Sequence, residues 1–114
     1  LLTALWWLWS TIAHRLARRA GGDGGAPGVR AALGFAYAVP LLLHVLVELG
    51  AFSAAGFSAL RAVARVSLPL AALTVWALGA RALRGAHGIP WPAAVGASFV
   101  ALLAQALVGS LLLR

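Results

Sequence analysis

The 23 residues from 91 to 113, "WPAAVGASFVALLAQALVGSLLL", carry no charged side chain. As a helix rising about 1.5 Å per residue, such a run spans an apolar layer about 30 Å thick. An all-round apolar helix must be enclosed, either by a large protein core or by lipid. The first is out of reach for a chain of 114 residues that is 63% hydrophobic and 10% charged, with a mean hydropathy of +0.98. A soluble domain of this size keeps much of its surface in water and is nearer half apolar and a quarter charged. Lipid is the solvent that fits.

Three further apolar segments of similar length, about 1–19, 29–52 and 58–84, precede 91–113. None alternates with a period of two, and each is too long for a barrel strand. The expected fold is therefore all-α, an integral membrane bundle of four antiparallel transmembrane helices forming one domain over 1–114. The breaks between them are short: "AGGDGGAPG" (20–28), "SAAG" (53–56) and "GAHGI" (85–89). Short connections force neighbouring helices to run antiparallel. Trp6, Trp7 and Trp9 lie near one end of the first segment, where an interfacial aromatic belt would stand. Pro90 and Pro92 suit the first turn of the last helix, whose N–H groups have no intrahelical partner. With no initiator methionine, Leu1 is not expected to be the natural start.

The charge balance is +7, yet the arginines form no face that could track a phosphate backbone, so nucleic acid is not an expected partner. They lie instead at the ends of the apolar segments. Arg15, Arg18, Arg19, Arg30, Arg81 and Arg84 flank the first and third loops, against Arg61, Arg65 and Arg114 at the other end. The excess of basic residues assigns loops 20–28 and 85–89 to the cytoplasm, in a bacterial cytoplasmic membrane given the Ala/Leu/Arg-rich composition.

The candidate chemistry is sparse. With no cysteine, disulfides, thiolate metal sites and cysteine nucleophiles are excluded. The glycine loop lacks the Lys-Ser/Thr pair of a phosphate-binding loop and follows a helix, so a structural turn is the expectation. The only aspartate, Asp23, lies in that flexible turn, where nothing would hold it against a base. His44 and Glu48, four residues apart, share a helix face at membrane depth, where ionisable groups are costly and usually functional. Against a proton relay or metal pair stands an interfacial carboxylate paired with Arg61 or Arg65. Haem needs two histidines at equal depth on facing helices. His14 and His87 fall near the loop ends and could ligate only something at the surface, so no cofactor and no metal are expected. Gln105 lines a stripe of small residues with Ala97, Ala101 and Gly109, a pattern that lets membrane helices approach closely.

"IAHRLARRAGG", "VRAALGFAYAVPLLL" and "VWALGARALRGAHGIPWPAA" together resemble the Yip domain family of multispanning membrane proteins. The matching positions are Gly21 and Gly22, then Tyr37, Ala38 and Pro40, then His87 and Gly88, and the likeness extends from about 10 to 108. The resemblance implies a chain that begins at the family's second helix. It also implies a helix-bundle scaffold, associated in eukaryotes with Rab-type GTPases that a bacterium would lack. The expected function is a non-enzymatic scaffold or accessory subunit, with the bilayer and other membrane chains as partners. Two alternatives stay open: a small transporter or proton-conducting protein using His44, Glu48 and Gln105, and a peripheral subunit of a respiratory or photosynthetic complex.

Overall fold

The computed structural model describes residues 1–114 as three helices: α1 (Leu2–Arg19), α2 (Ala26–His87) and α3 (Trp91–Leu112). The all-α expectation holds, but four separate transmembrane helices are not what the chain forms. The segments expected at 29–52 and 58–84 are one 62-residue element. Drawn straight it would run about 93 Å, whereas the longest dimension of the molecule is 49 Å. α2 therefore doubles back on itself. The reversal is confined to Ala55 (φ −147°, ψ 17°) and Gly56 (φ 72°, ψ −157°). Only glycine adopts the second conformation without steric strain. The alanines around it favour helix on both sides, so the anticipated loop at 53–56 contracts to a kink. Phe52 and Phe57 meet edge to face across it, ring centres 5.1 Å apart.

Two helices, α2 and α3, are long and apolar enough to cross a membrane, with mean hydropathies of 1.9 and 2.0 in their most apolar stretches. Only 17% and 28% of those stretches are buried within the chain. A soluble protein's core helix would be mostly enclosed; here the apolar side chains face outward. α1 does not qualify as a span. Its 18 residues include Arg15, Arg18 and Arg19, and its three tryptophans contribute less hydropathy than aliphatic side chains would.

Each helix packs on the other two. The core is built mainly from alanine, with Ala13, Ala17, Ala36, Ala80, Ala94, Ala97 and Ala101 around Trp9, Leu33 and Leu83. Small residues bring backbones close where lipid supplies no hydrophobic drive for association. Trp9, expected at an interface, is instead fully buried at the centre, and of the three tryptophans only Trp7 is exposed. Gly79 of α2 lies directly against Trp9 and Ser98 of α3. The stripe Ala97, Ala101, Gln105 and Gly109 is the buried face of α3, while Phe99, Leu103 and Leu113 are exposed.

Candidate functional site

Three polar clusters are held by this frame. The first closes the arginine-rich end. α1 ends in a Schellman motif: Gly21, at φ +92°, donates its N–H to the Arg18 carbonyl (3.1 Å), and Gly22 donates to Ala17 (2.9 Å). α2 ends at Gly88, φ +65°, whose N–H donates to the Arg84 carbonyl (2.8 Å). These two glycine ends bring loop 20–28 onto His87, so the loop expected to be flexible is pinned. A Cβ on Gly22 would fall 2.5 Å from His87 Nδ1, and one on Gly24 would collide with the Ala86 carbonyl oxygen. Glycine is required at both by close approach.

At this corner the Gly24 N–H donates to His87 Nδ1 (3.0 Å), and His87 Nε2 lies 3.1 Å from His14 Nδ1. A backbone N–H can only donate, so His87 Nδ1 must accept. The proton of neutral His87 is then on Nε2, from which it donates to His14 Nδ1. His14 in turn carries its proton on Nε2, for which the chain supplies no acceptor. Adding a proton to either ring breaks one link of this chain. His14 and His87 were expected near one end; that they touch, 73 residues apart, was not.

Both rings lie among the arginines that mark the end of the apolar spans. Burial is the first cause that lowers the basicity of His14, followed by the charges of Arg18 and Arg30. Burial also leads for His87, with His14 and Arg18 adding to it and Asp23 opposing. A folded-state value below the unfolded 6.5 means that the unfolded chain binds more protons as pH falls through that value. The stabilisation is complete above about pH 6.5 and declines below it, toward the lower folded values. Thermal unfolding in mild detergent should thus show a midpoint that drops between pH 7.5 and 5.5. A variant carrying both His14→Gln and His87→Gln should lack that drop. A wild-type midpoint that is flat or rises on acidification would contradict the hydrogen-bond chain.

The second cluster lies between the arms of α2. His44 Nε2 is 3.3 Å from Glu48 Oε1, and His44 Nδ1 is 3.0 Å from Ser67 Oγ on the returning arm. Glu48 therefore pairs with His44 and not with Arg61 or Arg65, both of which are exposed and unpaired. The reason is local: an i, i+4 partner on the same helix is already in reach, whereas the arginines project from the outer surface of the other arm. Beside the cluster is a cavity of about 240 Å³ lined partly by Pro40, Ser67 and Thr74.

The third cluster ties α3 to α2. Gln105 donates its amide to the Tyr37 hydroxyl, and its own carbonyl oxygen is buried without a donor. Ser98 donates to the Trp76 carbonyl (3.0 Å), and the Trp76 indole donates back to the Val95 carbonyl (3.0 Å). Gln105 and the His44–Glu48 pair thus bond to different partners.

Of the positions that carry the Yip resemblance, Gly21, Gly22, His87 and Gly88 meet at the histidine corner, Tyr37 bonds Gln105, and Pro40 is buried. Comparison with protein-family models, characterised proteins and solved structures gives no match. The resemblance therefore stands on those sequence motifs alone.

Proposed function

We propose that this chain is a membrane-embedded, non-enzymatic scaffold or accessory subunit, of Yip-like type on its motifs, that packs against other membrane chains. The observation that carries this reading is how the polar groups are used. Gln105, Ser98, Trp76, Ser67 and His44 each bond to a neighbouring helical segment, while many large Leu, Val and Phe side chains face outward. Interhelical bonds of this kind hold a bundle together in lipid. Apolar faces of this extent suit lipid or another membrane chain. On this reading loops 20–28 and 85–89, joined by the Gly24–His87 bond, face the cytoplasm together.

A second reading has its own observation. The His44–Glu48–Ser67 cluster beside a partly polar cavity is what a proton-conducting protein would need. The two are separated by reconstituting the purified protein in liposomes, alone and as Glu48→Gln, and measuring proton flux and native mass. A scaffold gives no flux above protein-free vesicles, leaves both variants equally stable, and runs at a fixed multiple of 11.7 kDa or with a stoichiometric partner. Flux that Glu48→Gln abolishes would transfer the assignment to the conducting protein.

A further inference from the structure

The arginine-rich end carries six arginines, Arg15, Arg18, Arg19, Arg30, Arg81 and Arg84, against one carboxylate, Asp23. None is in an ion pair, since the only one in the molecule joins His44 and Glu48. Arg30 is held over the Trp7 ring at 5.6 Å, on the outer side of the α1–α2 contact. His14 and Arg18 share a face of α1 one turn apart, and Arg18 and Arg30 both act electrostatically on His14. The free Nε2–H of His14 adds a neutral donor to the two guanidinium groups. His14, Arg18 and Arg30 thus place three donors of two helices at this end, none of them with an acceptor in the chain.

Below that cluster, toward the bilayer interior, α1 and the first arm of α2 part to leave an open apolar groove of about 650 Å³. Its walls include Trp6, Gly34, Phe35, Leu41, Leu42 and Val45. Gly34 lies one turn, about 6 Å, below Arg30, and Val45 lies about 16 Å below Gly34. At the upper end the Trp6 indole nitrogen rests against Gly34, with no acceptor in the chain. The order along the helix is cationic donors, then a long apolar trough. It is the order of a phospholipid from phosphate to acyl chain.

We infer that the α1–α2 groove binds one anionic phospholipid of the bilayer, its phosphate held by Arg18, Arg30 and His14 and one acyl chain lying along Gly34, Leu42 and Val45. Charge complementarity selects the headgroup: a phosphatidylglycerol brings a negative charge to an end where six arginines outnumber one carboxylate, whereas phosphatidylcholine brings its own cation. Each arginine at such a surface is worth about 1 kcal/mol toward anionic lipid, about a fivefold preference. The inference rests on the membrane reading above, and its test keeps the two apart.

The protein, purified in neutral detergent, is exchanged into equal amounts of phosphatidylglycerol and phosphatidylcholine, and the retained lipid is measured by native mass spectrometry. Wild type should retain phosphatidylglycerol about 25-fold over phosphatidylcholine, and Arg18→Gln with Arg30→Gln should bring that ratio to within about twofold. Gly34→Leu, which fills the groove floor, should reduce retention of both lipids. Should that variant not fold, dihexanoyl phosphatidylglycerol on the wild type tests the same point, and must bind more weakly than the long-chain lipid. Equal retention of the two lipids, an unchanged ratio in the double arginine variant, chain-length independence, or displacement by millimolar inorganic phosphate would each overturn the site. Release of the protein from membranes by alkaline carbonate would instead sink the membrane reading itself.

Discussion

Replacing Gly79 with valine should lower the stability of the bundle by about 3 kcal/mol, the upper end of the usual cost of overpacking. A Cβ at this position would fall 2.6 Å from Ser98 Oγ and 2.7 Å from Trp9 Cζ2. Those atoms belong to α3 and α1, so one added carbon pushes two helices away at once. Neither can yield cheaply: Ser98 Oγ is bonded to the Trp76 carbonyl, and Trp9 is fully buried. Gly79→Ala should show a smaller loss in the same direction. Unfolding by SDS titration in mixed micelles measures both. A valine variant as stable as the wild type would mean that the three helices are further apart at this level than described.

Trp9→Ala should cost about 3 kcal/mol, the low end of the range for removing a buried tryptophan. The low end applies because lipid tails solvate an exposed apolar side chain nearly as well as the core does, leaving lost packing as the main term. Trp9 stands 5.5 Å from the Tyr37 ring and touches Gly79, so its loss loosens α1 from both arms of α2. Leu103→Ala, on the exposed face of α3, should change stability by less than about 0.5 kcal/mol. The two core changes should not add. The valine at 79 occupies space that Trp9→Ala vacates, so the double variant should be more stable than the sum of the singles by about 0.5–3 kcal/mol. Strict additivity would show that these residues do not meet.

Several features are legible in the sequence itself, and each is one that local pattern controls. The helices followed from uninterrupted apolar length, and the buried stripe on α3 followed from the spacing of Ala97, Ala101, Gln105 and Gly109. The break at 53–56 was located but misjudged in kind. Composition marks Gly56 as a stop, but it does not say whether the chain needs four residues or two to reverse. The length of α1 suggests a span, but its three arginines and three tryptophans leave it less apolar than α2 or α3. Trp9 was assigned to an interface because its neighbours Trp6 and Trp7 are beside it in sequence. Helical rotation of about 100° per residue separates them, and Trp9 turns inward.

The histidine corner was beyond sequence pattern altogether. His14 and His87 are joined only because Gly21 and Gly88 end their helices at compatible angles, and because Gly22 and Gly24 leave room for the ring. The one available signal was that both histidines fall at the same end as the arginines. Glu48 shows the opposite failure. A long-range partner was expected for it, and the neighbour one turn away on the same helix took precedence.

The kink at Ala55 and Gly56 also ties the two ends of α2 into a closed loop. Each arm, 26–54 and 57–87, is about 44–47 Å long at 1.5 Å per residue. The kink joins the arms at one end and the Gly24–His87 bond holds them at the other, so neither can slide along its partner. Any change of register between them must first break that bond or reopen the kink.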